Sequence, residues 1–154
     1  MFQQPLIEDL ALISDRNTCA VLDKKGAVQW YCPDRFDGKA VLSGLVDNNG
    51  GYWTVSQGNA DFVDRAYLNS SSILRQNFKL QDHEFYIDDW MPMNRDYAGI
   101  VRQFSTSPVA QHNVLKVKGD DGAAEGKVTL LSAKAAFFEK EELYLYCSHT
   151  IYGD

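Results

Sequence analysis

The 154-residue chain carries 45 % apolar and 23 % charged residues, the balance of one folded domain large enough to bury a core. Its formal net charge of −6, with no basic cluster longer than Lys24-Lys25, excludes a nucleic-acid surface. No apolar run approaches the ~20 residues of a membrane-spanning helix, so neither nucleic acid nor membrane is expected as a partner.

The chain opens MFQQPLIED, without a basic leader or an apolar core segment, and no signal peptide is read there. Two short apolar runs, 10–13 and 19–22, flank the polar residues Ser14, Asp15, Arg16 and Asn17, which read as a turn. Asp23, Lys24, Lys25 and Gly26 form a second turn, with glycine supplying a positive-φ position. A third strand follows, with Val28 and Trp30 on one face. Cys32 and Pro33 end it, because proline donates no hydrogen bond to a ladder and restricts the residue before it.

Beyond Pro33 the chain gathers Asp34, Arg35, Phe36 and Asp37, two acids and an arginine around an aromatic ring. Over 38–46 the spacing of Val41, Leu42, Leu45 and Val46 predicts one short helix, with Asp37 placed as its N-cap and Gly50 and Gly51 beyond its end. After that the pattern is β throughout. Strands are expected over 52–55, 62–68, 73–80, 83–90, 100–104, 114–118, 128–131, 135–138 and 143–147, with polar or glycine-rich separators such as Asn94-Arg95-Asp96. Within them Leu74, Gln76, Phe78 and Leu80 share a face, and Phe85 and Ile87 oppose Tyr86 and Trp90. The fold class is therefore mostly β, an antiparallel sandwich of about ten short strands with one short helix, forming a single domain over 1–154.

Cys19, Cys32 and Cys147 are odd in number and lack the spacing of a disulfide scaffold. Cys19 and Cys147 lie in apolar runs, where a reduced thiol behaves as a small hydrophobe, so a reducing, cytoplasmic location is expected. The Asn69-Ser70-Ser71 sequon is then read as chance.

Catalytic machinery is hard to assemble from these residues. Asp88 and Asp89 are adjacent on a strand and point to opposite faces, so they cannot share a cleft. Asp34 and Asp37 could converge, but Arg35 between them favours ionised acids, the wrong state for a general acid. His83, His112 and His149 are far apart, and Cys147 beside His149 supplies only one pair, so no metal site is read. Nucleophile elbows and phosphate loops are absent, and no cofactor is expected. No catalytic residue is assigned.

DLALISDRNTCAVLD from Asp9 to Asp23 and GAVQWYCPDRFD from Gly26 to Asp37 resemble the opening of bacterial glycoside hydrolase family fifteen proteins, the glucoamylase-like and trehalase-like enzymes. Gly50-Gly51-Tyr52-Trp53, Asp89-Trp90-Met91-Pro92, Ile100-Val101-Arg102 and the stretch from Leu143 to His149 follow in the order of that family. The resemblance implies a β-sandwich that precedes and packs on an (α/α)6 catalytic barrel, in which the catalytic glutamates lie. These 154 residues hold no run of amphipathic helices for such a barrel, so the chain alone is expected to be inactive. The resemblance further implies that Trp30, Pro33, Asp34, Arg35, Phe36 and Asp37 form an interface to the barrel or a rim of its α-glucoside site, Arg35 meeting barrel carboxylates and Phe36 anchoring the contact. In the internal alternative, Arg35 pairs with Asp34 or Asp37 and Phe36 plugs the sandwich.

The first expectation is thus a non-catalytic N-terminal domain whose partner is the helical catalytic domain. The alternative is a free-standing carbohydrate-binding or dimerising module, since an exposed barrel-facing patch would seek a second copy. A small enzyme using Asp34 and Asp37 is the third.

Overall fold

The computed structural model describes residues 4–56, 60–93, 96–105, 112–123 and 125–153. The first residues of the leader reading, Met1, Phe2 and Gln3, and the separator residues Asn94 and Arg95 lie outside the described set. Among the described residues, twelve strands form three antiparallel sheets.

The first sheet is a meander of β1 (Leu10–Ser14), β2 (Cys19–Asp23) and β3 (Val28–Tyr31), extended by β4 (Tyr52–Ser56) and β9 (His112–Lys116). The second runs β5 (Asp61–Tyr67), β6 (Leu74–Leu80), β7 (His83–Trp90) and β8 (Val101–Phe104) in order. The third is a small meander of β10 (Val128–Ser132), β11 (Ala135–Phe138) and β12 (Leu143–Tyr146).

The first two sheets bury one face each against the other, as period-two alternation requires. Ile13, Ala20, Leu22 and Val28 of the first meet Leu74 of β6 and Met91 just beyond β7, and Phe138 of β11 joins the same cluster. A second cluster gathers Val55, Phe78, Phe85 and Ile87, with Phe78 stacked on Phe85 at 5.5 Å between centroids. Polar groups fasten the layers. Asp23 accepts the Lys25 and Ala27 amides and the Gln29 side chain, and fully buried Gln76 donates to the Asp23 carbonyl at 2.9 Å from the opposite sheet. Arg65 of β5 reaches the carbonyls of Glu8, Asp9 and Leu10, holding the entry to β1.

Gly26 takes φ +79°, as the turn pattern predicts. Its Cα lies so close to Phe78 and Ile87 that a Cβ there would meet each at 3.3 Å.

The expected helix over 38–46 is not formed. Instead this segment is stitched to its neighbours: the Tyr31 amide donates to the Leu42 carbonyl, Val41 to Tyr31, and Leu45 to Gln29. Ser43 and Gly44 both donate to the Gly51 carbonyl. A nine-residue helix with an internal glycine is marginal by itself, and these long-range bonds replace the i−4 ladder while still burying Val41 and Leu42. Asp37 accordingly caps no helix. Two further corrections are smaller. The strand expected over 114–118 begins two residues earlier, and Cys147 is exposed rather than core, because β12 ends at Tyr146 and its inward positions are Leu143 and Leu145.

Candidate functional site

The β1–β2 turn is built by its own side chains. Asp15 Oδ1 accepts the amides of Asn17 and Thr18, each at 2.9 Å, while Ser14 Oγ donates to the Thr18 carbonyl and accepts the Arg16 amide. Arg16 is forced to φ 80°, a conformation unusual for a residue with a side chain. Thr18 Oγ1 in turn donates to the Cys32 carbonyl, clamping this turn against the end of β3.

The corner after β3 therefore stands beside the turn. Between them, closed by residues 96–98, lies an open groove of about 540 Å³. Its lining joins Asp15 and Asn17 from the turn, Pro33 to Phe36 from the corner, and Asp96 and Tyr97 from the segment before β8. Phe36 is 68 % exposed and Tyr97 58 % exposed, so two aromatic rings stand at the groove in contact with solvent.

Asp15 is only 5 % exposed, and its Oδ2 is enclosed without a hydrogen-bond partner. The Tyr31 hydroxyl is likewise enclosed and unpartnered. Its pKa is pushed well up, first by burial and then by the negative charges of Asp15 and Asp34. Both carboxylates that act on the phenol line the groove.

The structure brings Pro33, Asp34, Arg35 and Phe36 to the groove, while Trp30 and Asp37 are not part of its lining. Arg35 is satisfied locally, donating from Nε and Nη2 to the two Asp37 carboxylate oxygens at 2.9 and 3.0 Å. The internal alternative is half met: Arg35 does pair with Asp37, but Phe36 plugs nothing. The acid pair Asp34 and Asp37 is split, with Asp34 on the groove and Asp37 turned to Arg35.

Six contributors, Asp15, Arg16, Asn17, Asp96, Tyr97 and Ala98, escaped sequence reasoning. Asp15, Asn17 and Asp96 look like turn and separator residues, Tyr97 follows the separator, and only the shared groove between distant segments reveals them. The Asp15-Arg16-Asn17 turn did carry a signal, since three polar residues between apolar runs need side-chain bonds to close so tightly. Among the described residues, no three metal-ligating side chains gather anywhere, and no helix is long and apolar enough to cross a membrane.

No family model and no solved structure matches the chain. One stretch of 85 residues, 54 % of the chain, is 31 % identical to Trehalase 2 of Sulfolobus acidocaldarius. The match covers 14 % of that enzyme's length. This likeness supports a trehalase-related domain.

Proposed function

We propose that the chain is the non-catalytic β-sandwich domain of an α-glucoside hydrolase of the trehalase or glucoamylase type. It packs on a helical catalytic domain and shapes one rim of the active site with the corner formed by Trp30, Pro33, Asp34, Arg35, Phe36 and Asp37. The likeness to a trehalase, confined to a small share of that enzyme's length, carries this reading. The corner supports it: a large apolar ring is held out into solvent on a turn closed by the Gly38 amide on the Arg35 carbonyl, a form that suits an interface anchor. The three free cysteines fit a reducing, cytoplasmic setting.

A free-standing carbohydrate-binding or dimerising module is the second reading. It is favoured by the exposed apolar residues of the third sheet, Leu130, Leu131, Tyr144 and Tyr146.

The test is hydrolysis of trehalose and maltose by the complete polypeptide of the gene, beside the 154-residue chain. Activity in a longer polypeptide, reduced by Phe36→Ala and absent from the 154 residues, supports the domain reading. A complete gene product without hydrolase activity overturns it.

A further inference from the structure

We propose that the groove between the β1–β2 turn and the corner is a binding site for a pyranose sugar, with Phe36 and Tyr97 as stacking surfaces and Asp15, Asn17 and Asp34 as hydroxyl partners. A pyranose presents two faces of C–H groups and a rim of hydroxyls. It therefore needs aromatic surface and in-plane polar groups at one place, and this groove supplies both. Its size falls within the range of small-molecule sites, roughly 300–1,000 Å³.

The lining charges argue for a neutral ligand. Three carboxylates, Asp15, Asp34 and Asp96, share the groove with the guanidinium groups of Arg16 and Arg35. Arg35 is already paired with Asp37, so the lining is carboxylate-rich and disfavours an anion. A neutral polyhydroxyl ring can donate to a carboxylate and accept from Arg16 and Asn17.

A second, independent observation points the same way. Asp15 lines the groove while more than nine-tenths buried, with Oδ1 occupied by two backbone amides and Oδ2 enclosed without a donor. Beside it the Tyr31 hydroxyl also lacks a partner, and the charges of Asp15 and Asp34 both bear on it. Buried polar groups are rarely left so. A sugar hydroxyl entering beside Asp15 supplies that donor once the side chains enclosing Oδ2 move aside.

The experiment is an amide NMR titration of the 154-residue chain with trehalose, maltose and, as an acyclic control, mannitol, each to tens of millimolar. The choice of glucosides rests on the function proposed above. Saturable shifts at Arg16, Asn17, Asp34, Phe36 and Tyr97 are expected with the glucosides and not with mannitol. Phe36→Ala and Tyr97→Ala, at exposed positions that the fold does not need, should each weaken binding by roughly tenfold, the loss of one stacking contact. No saturable shift, shifts confined to β10–β12, equal shifts with mannitol, or unchanged affinity in both variants would overturn the assignment. Failure here with hydrolysis intact in the longer polypeptide leaves the domain reading standing. Binding here with no hydrolase activity in the complete gene product sinks that reading and keeps the groove.

Discussion

Arg102 and Asp89 form a two-pronged ion pair whose side chains are both wholly shut off from solvent, with Arg102 Nε 2.7 Å and Nη2 3.2 Å from the two carboxylate oxygens. The residues face each other across β8 and β7 on the core side, and the guanidinium lies over the Trp53 ring at 4.8 Å. Burial pushes the Asp89 carboxyl up, against the pull of Arg102. Removing one partner strands the other. Arg102→Met should therefore cost about 3–5 kcal/mol, whereas Asp89→Leu with Arg102→Met should recover most of the loss, because an apolar pair leaves no buried charge. Urea unfolding of the single and the double variant measures this, and equal destabilisation by the two would refute it.

Asp88, one residue before, makes the mirror arrangement on the other face. Arg75 donates to both its oxygens at 2.7 Å and covers the Tyr86 ring at 3.6 Å. Period-two alternation demands that adjacent acids part in this way, and the sequence shows it. The partners Arg75 and Arg102 each lie 13 residues away on neighbouring strands, so only the register discloses them.

Gly26 gives the second prediction. A side chain at φ +79° costs about 1–2 kcal/mol by itself, and the new Cβ would press on Phe78 and Ile87 at 3.3 Å. Gly26→Ala should lower stability by at least that amount in thermal unfolding. Gly99→Ala, with nothing within 4 Å of its Cβ, should stay within about 0.5 kcal/mol of the parent.

What could be seen in the sequence, and what could not, divides along the same line. Local alternation fixes Leu74, Gln76 and Phe78 on one face and Phe85 and Ile87 on another, and the Asp23–Gly26 turn needs only its own residues. The stretch 38–46 failed because Val41, Leu42, Leu45 and Val46 satisfy a helical period equally well, while the bonds that decide its path come from Gln29, Tyr31 and Gly51. The groove failed for a related reason. It is assembled from residues 15–17, 33–36 and 96–98, and no local pattern joins them. Arg16 at positive φ is likewise dictated by the Ser14 and Asp15 side chains, with no glycine to announce it.

Asp120 should titrate abnormally. Lys39 at 2.6 Å and Lys140 at 2.9 Å hold its carboxyl down to about 2. A carboxyl depressed in the folded state stabilises the fold above its ordinary pKa, and this contribution is lost as pH falls from the ordinary aspartate range toward about 2. Carboxyl-carbon NMR should place the Asp120 midpoint near that value, and Asp120→Asn should flatten the acid limb of the stability curve. An ordinary midpoint would show that the two lysines do not hold it in solution.

The thiols should separate in reactivity. Burial pushes the Cys19 and Cys32 thiols up, and Cys32 is fully enclosed, whereas Cys147 is exposed. An aromatic disulfide reagent should modify one thiol quickly in the folded chain, a reaction abolished by Cys147→Ser, with Cys32 reacting only on unfolding. Fast loss of all three thiols in the native state would contradict the packing of Cys32 at the end of β3.

The corner itself should prove dispensable for folding. The Arg35–Asp37 pair is exposed on both sides, and such pairs contribute about 0–1 kcal/mol. Phe36 buries too little surface to add much more. Arg35→Ala and Phe36→Ala should therefore each unfold within about 1 kcal/mol of the parent. A large loss would make the corner a brace of the sandwich, as the internal alternative holds. Unchanged stability together with weakened sugar binding, or with lowered hydrolysis in a longer polypeptide, would instead mean that the ring is held in solvent for a partner outside the sandwich.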